Sequence, residues 1–122
     1  MLVPEFYHIT EFTSTENKIE AQIKLNKDHE IYRGHFPGQP VVPGVMQLQI
    51  IKELVEKARN RSFLMSDILS AKYLHMIIPG AFEILKVDIE LIENEMHQIK
   101  FKAKVIEGEV IYTKVNAWLS LI

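Results

Sequence analysis

One stretch of the chain concentrates residues able to do chemistry: Gly34-His35-Phe36-Pro37-Gly38-Gln39-Pro40-Val41-Val42-Pro43-Gly44-Val45. It holds three of the five prolines and three of the five glycines. Proline fixes φ and glycine reaches conformations closed to other residues, so this is a rigid loop of specific shape. A rigid loop can hold one imidazole, that of His35, in a fixed place. The residues after Pro43 have helical spacing, and a helix start presents unpaired backbone N–H groups and the positive end of a dipole. Such a helix start is suited to polarising a carbonyl oxygen, beside a loop that is a good place to fix one histidine. A lone loop histidine is more often structural or simply exposed, and that reading stands beside the chemical one.

Other candidates carry less. His8, His29, His75 and His97 are scattered, and no pair has metal-ligand spacing on a helix. His75 reads as an ordinary strand histidine. The serines lack the strand-turn-helix context of an activated nucleophile. Without cysteine, disulfides, thiolate catalysis and cysteine-ligated metals are excluded. The net charge of −2 gives no electrostatic case for nucleic acid or an anionic membrane.

The elements that must position His35 follow from periodicity. Ile19, Ala21, Ile23 and Leu25 alternate with Glu20, Gln22 and Lys24, the period of a strand buried on one face. Leu85, Val87, Ile89 and Leu91 repeat it, as do Ile99, Phe101, Ala103 and Val105, and 110–121 is a long β-branched and aromatic run. Turns are expected at 94–97 and at Glu107-Gly108-Glu109. A further strand is expected over 63–77, stopped by Pro79-Gly80. Short turns between consecutive strands imply an antiparallel sheet. Residues 44–59 break the pattern with helical spacing, Val45, Leu48, Ile51, Val55 and Ala58 falling on one side. The first half, 45–51, is apolar nearly all round and is expected to be buried; the second half is charged and expected to emerge into solvent. Pro43 stands near the helix position where proline is tolerated. The fold class is thus α+β: an antiparallel β-sheet wrapped around one long central α-helix, in a single domain over 1–122. Residues 1–10 have no signal-peptide pattern, and no apolar run nears the ~20 residues of a membrane span. A cytoplasmic protein is expected.

Residues 34–45 resemble the signature of the FabA/FabZ family of 3-hydroxyacyl-carrier-protein dehydratases. In that family a His-Phe-Pro-Gly turn, here His35-Phe36-Pro37-Gly38, is followed by a second Pro-Gly, here Pro43-Gly44, that opens the central helix. Weaker similarity covers Lys72-Tyr73-Leu74-His75, Ile78-Pro79-Gly80 and the closing hairpin. The resemblance implies a hotdog fold and loss of water from a 3-hydroxyacyl thioester to give a trans-2-enoyl thioester. It implies His35 as the base, the Gly44 N–H as carbonyl donor, and Phe36, Pro37, Gly38 and Pro43 as residues that shape the loop. It implies no metal or organic cofactor, the substrate being carried on the phosphopantetheine of an acyl carrier protein. Dimers or trimers of dimers are implied, with the histidine of one subunit facing the helix acid of the other. Carrier proteins are acidic, so a basic patch is expected; Lys57, Arg59, Arg61 and Lys72 are candidates, against scattered surface charge.

The family's acid is a Glu or Asp fourteen residues after the histidine, and here that residue is Gln49. An amide can hydrogen-bond but cannot give up and recover a proton at neutral pH. Three explanations follow. His35 acts as both base and acid through water while Gln49 orients the hydroxyl. Or Glu53, one helical turn on, substitutes, although a solvated residue is the plainer expectation for it. Or the chain has become a non-catalytic acyl-binding subunit, or pairs with a second hotdog chain that supplies the carboxylate. A hotdog thioesterase is a further alternative. Gln49 with Lys52, Glu53 and Glu56 can also be the polar stripe of the helix, yet its apolar neighbours favour an internal polar site or a subunit boundary. Met46, Met65 and Met76 with Phe36 and Phe63 can line an acyl tunnel, but core is the better reading.

Overall fold

A computed structural model describes residues 6–34 and 40–122. Six strands and two helices follow in the order β1 (Tyr7–Ser14), β2 (Lys18–Leu25), α1 (Ile31–Gly34), α2 (Gly44–Arg59), β3 (Phe63–Tyr73), β4 (Leu85–Asn94), β5 (Gln98–Glu107) and β6 (Val110–Leu121). The strands form one antiparallel sheet in the order β1-β2-β4-β5-β6-β3, so β1 and β3 are its edges. The alternating residues make one apolar face. Ile19, Ala21 and Ile23, then Leu85, Val87, Ile89 and Leu91, then Ile99, Phe101, Ala103 and Val105, then Val115, Ala117 and Leu119 are all buried. That face packs on Met46, Ile50, Ile51, Leu54 and Val55 of α2. The expected α+β arrangement is observed. No helix of the described residues is long and apolar enough to cross a membrane.

The helix occupies the expected residues, but its buried stripe is rotated. Met46, Gln47, Ile50, Ile51, Leu54 and Val55 face inward, whereas Val45, expected on the buried side, is 69% exposed. The inward residues form adjacent pairs one turn apart, which is the broad stripe that a curved sheet covers. Pro43 is the N-cap itself, in extended conformation. Its carbonyl accepts from the N–H groups of Met46 and Gln47. At the other end Asn60 adopts the left-handed conformation and donates its N–H to the Glu56 carbonyl, an αL termination that asparagine tolerates.

β1 is not among the expected strands: it has no clean alternation, because its ladder with β2 shifts register between Ile9 and Glu11. One expected strand is shorter than its sequence run. β3 ends at Tyr73 rather than 77. There the N–H groups of both Leu74 and His75 turn onto the single carbonyl of Tyr112, and the ladder stops.

Candidate functional site

The start of α2 is held from three sides. The Val42 N–H donates to the Ile77 carbonyl at 2.8 Å, tying the segment before the helix to the segment after β3. Gln47 is buried; its Nε2 donates to the Val42 carbonyl at 3.3 Å, and its Oε1 accepts from the Thr113 hydroxyl at 2.5 Å. A buried amide is tolerated only when such partners are supplied. The pair therefore fixes the helix start to β6. Gly44 lies against the phenol end of Tyr73, the last residue of β3. A Cβ on Gly44 would sit 2.7 Å from Tyr73 Cζ and 2.8 Å from its Oη. Glycine is needed there for close approach, in addition to any use of its N–H.

One and a half turns further on, Gln49 begins a polar chain. Its Nε2 donates to Glu53 Oε2 at 2.8 Å, and the Tyr7 phenol donates to Glu53 Oε1 at 2.8 Å. A carboxylate only accepts, so the amide turns its nitrogen towards Glu53. It keeps its oxygen and its second N–H for another partner. Burial, then the hydrogen bond to Glu53, then the charges of Glu53 and Glu56 push the Tyr7 phenol well above its ordinary range, so Tyr7 remains a donor. Glu53 is half-buried and doubly hydrogen-bonded. The expectation of a solvated Glu53 is corrected: Tyr7, arriving on β1, makes it part of an internal network.

The described residues thus bring Pro43, Gly44 and Gln49 onto one helix beside Tyr73 and Tyr7. His35, Phe36, Pro37 and Gly38 lie outside the described residues. Just before them, Tyr32 of α1 is buried, packs 5.8 Å from Phe6, and its hydroxyl has no partner among the described residues. Burial pushes this phenol up as well. The four basic candidates do not form one patch, although Arg59 and Arg61 line a common pocket. Lys57 stacks over the Phe12 ring at 5.3 Å and Arg59 donates to the Glu16 carbonyl at 2.6 Å. Lys72 instead lines a groove on the outer face of the sheet. Of the tunnel candidates, Met46 and Phe63 are core, Met65 is half-buried and Met76 is exposed; Phe36 is outside the described residues.

Sequence reasoning missed Gln47, Thr113, Tyr7 and Tyr73. Gln47 was detectable: with Ile50, Ile51 and Leu54 it follows i, i+3, i+4, i+7, the signature of the buried stripe. Thr113 sits in the inward phase of β6, with Val115, Ala117 and Leu119. The partnership of Tyr7 with Glu53 spans 46 positions and left no local signal.

Comparison with known proteins bears on what this site does. A family model described as ApeI dehydratase matches residues 11–114. The 3-hydroxyacyl-[acyl-carrier-protein] dehydratase FabZ of Clostridium acetobutylicum is 27% identical over 73 residues, 54% of this chain and 50% of that protein. The matched stretch is thus about half the length of that curated relative. Among solved structures, the dehydratase heterocomplex ApeI:P from Xenorhabdus doucetiae superposes with a TM-score of 0.74 at 20% identity, over 93% of this chain and 96% of that one. A thioesterase from Haemophilus influenzae superposes with a TM-score of 0.64 at 16% identity, over 95% of this chain and 78% of that one. These likenesses establish the fold as hotdog.

Proposed function

The chain belongs to the ApeI-like dehydratase family, and from that premise we propose that it removes water from 3-hydroxyacyl thioesters of an acyl carrier protein. The observation that carries this reading is the extent of the family match, which runs through His35 and the whole of α2. The product is a trans-2-enoyl thioester, of use in fatty-acid synthesis or a related polyene or polyketide pathway.

The reaction needs a base for the C2 proton, donors for charge gathering on the thioester oxygen, and a proton for the departing C3 hydroxyl. His35 is assigned the base. The Gly44 N–H, at the positive end of α2, is assigned to the carbonyl oxygen. Gln49 holds the C3 hydroxyl with the amide oxygen and N–H that its bond to Glu53 leaves available. The C2–H and C3–O bonds break and C2=C3 forms. The proton taken by His35 passes, through water, to the hydroxyl, which departs as water. Lacking a side-chain acid at residue 49, the chain forgoes a factor of roughly 10² to 10⁴ in rate.

The site is proposed to be completed between subunits, His35 of one facing Gln49 of the other. Edge strand β3 supports this reading: Leu64, Ile68, Leu69 and Tyr73 are exposed along it, as are Leu74 and Met76 just beyond. Unpaired edges with apolar side chains are places where a second chain adds. A homodimer or a trimer of dimers satisfies them. So does a second hotdog chain, and Gln49 favours that alternative in particular, because such a partner can supply a carboxylate. The solved relative named as a heterocomplex motivates the same test. Native mass spectrometry of the chain purified with its natural partners distinguishes the two assemblies.

The deciding assay incubates the purified chain with 3-hydroxyacyl carrier protein and follows the enoyl product. Turnover that disappears in His35→Ala is expected, and Gln49→Glu is expected to raise it about 10²-fold or more. Absence of product above the His35→Ala background refutes the reading. Release of free thiol in place of enoyl product assigns a thioesterase instead.

A further inference from the structure

The face of the sheet turned away from α2 carries a charge pattern that folding does not call for. Register sets Lys72 of β3 directly opposite Lys114 of β6, and Lys114 directly opposite Lys104 of β5. Neighbouring strands lie ~4.8 Å apart, so three ammonium groups rise from adjacent strands in a single row. Like charges directly opposite one another destabilise a sheet. Among the described residues none of the three has an ion-pair partner; the salt bridges on this face join Lys18 and Lys86 to Glu20, and Lys86 to Asp88. Asp88, in register with Lys104, ends the row.

The next row shows the contrast. Lys18, Glu90 and Lys102 follow one another across β2, β4 and β5 with alternating sign, as expected where stability alone shapes a surface. Both rows line one open groove of about 710 Å³. The lysine row therefore stands out in a chain whose net charge is −2.

We propose that the row Lys72, Lys114, Lys104 is a docking surface for an acidic helix of a partner protein. Carboxylates three or four residues apart on a helix recur every ~5–6 Å, which matches the spacing of the row. The groove is open and lined by flexible lysines, unlike the enclosed, mostly apolar sites that take small ligands. Resting on the dehydratase reading, the partner is the carrier protein that delivers the thioester. The location suits delivery. Lys72 immediately precedes Tyr73, whose ring touches Gly44, and successive side chains of a strand point to opposite faces. A carrier on the row thus docks behind the strand end that meets the start of α2.

The test measures fluorescence anisotropy of a holo acyl carrier protein labelled at its N-terminus, titrated with the full chain at low and moderate salt. The expected result is saturable binding that weakens with salt and falls at least 10-fold in Lys104→Glu/Lys114→Glu and at least threefold in Lys104→Ala/Lys114→Ala. Lys57→Glu/Arg61→Glu, on the other basic candidates, is expected to change it less than threefold. Thermal melts of each variant confirm the fold. No binding by the unaltered chain, equal binding by the row variants, or control by Lys57 and Arg61 overturns the proposal. So does binding to phosphatidylglycerol vesicles through the row without binding to the carrier. Turnover is measured separately on carrier-bound substrate and on the same acyl group as a pantetheine thioester. Carrier binding through the row with no dehydration of either substrate retires the dehydratase reading and supports the docking surface. Dehydration of both substrates, unaffected by the row variants, does the reverse.

Discussion

The Gln47–Thr113 bond offers the sharpest test of how the helix start is held. Replacing Thr113 by Val keeps the shape of a fully buried residue and deletes only the hydroxyl that donates to Gln47. Gln47 is 5% exposed, so its Oε1 is then left in the interior without a donor. Stranding a buried acceptor costs about 1–3 kcal/mol, and the greater apolarity of valine returns only part of that. With a gross cost in the upper half of that range, the expected net loss is ~2 kcal/mol. In a domain of this size it lowers Tm by about 6–10 °C. Replacing both partners by apolar groups removes the stranded atom, so Gln47→Met/Thr113→Val is expected to recover most of the loss. The Val42 carbonyl still misses its long 3.3 Å contact and keeps the recovery incomplete.

Calorimetry and chemical denaturation of the two single variants and the double variant give the cycle. Hydrogen exchange adds a local readout: the Val42 N–H, bonded to the Ile77 carbonyl, is expected to exchange faster in Thr113→Val. Thr113→Val melting within about 2 °C of the parent, or a double variant as unstable as the two losses summed, refutes the reasoning.

Three other perturbations follow from the same geometry. Gly44→Ala pushes a methyl into the Tyr73 ring and is expected to cost about 1–2 kcal/mol, while adding Tyr73→Ala removes the obstacle; additive melts in that cycle refute the contact. Tyr32→Phe discards a buried hydroxyl that has no partner among the described residues, so stability is expected to stay level or rise by up to ~1 kcal/mol, and a loss above that in urea denaturation refutes it. The Tyr7 and Tyr32 phenols are both raised above 10.0 in the folded chain. The unfolded chain therefore releases these protons first: their stabilisation is complete below pH 10 and is lost as pH climbs towards the raised folded values. Denaturation at successive pH values above 10 is expected to show a decline that flattens in Tyr7→Phe/Tyr32→Phe.

Much of this was legible from period alone. Strict alternation in β2, β4 and β5 reports a sheet with one dry face, and the change to helical spacing at Gly44 reports what lies on it. The parts that escaped did so for physical reasons. β1 carries a bulge and lies at an edge, so only Tyr7 along it is fully buried and no period survives. Spacing puts Val45 on one side with Leu48, Ile51 and Val55, but on a helix whose first half is apolar nearly all round several phases fit the spacing equally, and the observed stripe leaves Val45 outside. Glu53 read as solvent-facing because a helix wheel holds no information about a tyrosine from 46 residues earlier. The lysine row was invisible for the same reason: each lysine occupies an ordinary outward position, and only register aligns them.

Read along the chain, residue 49 is a family acid replaced by its amide. Read in the fold, it is one half of a pair with Glu53, 2.8 Å away. Two carboxyl groups at that distance cannot both ionise; they share a proton, and one is pushed strongly upward. With glutamine at 49, the amide N–H and the Tyr7 hydroxyl both donate to Glu53 and the chain of donors is closed. The amide and the carboxylate are then compatible states of one network, and changing either resets the other. Gln49→Glu therefore creates more than a lone acid: it creates a coupled pair that retains one proton to higher pH. Activity gained in Gln49→Glu but altered in pH profile by Glu53→Gln in the same chain is the signature of that coupling. An identical profile with and without Glu53→Gln refutes it.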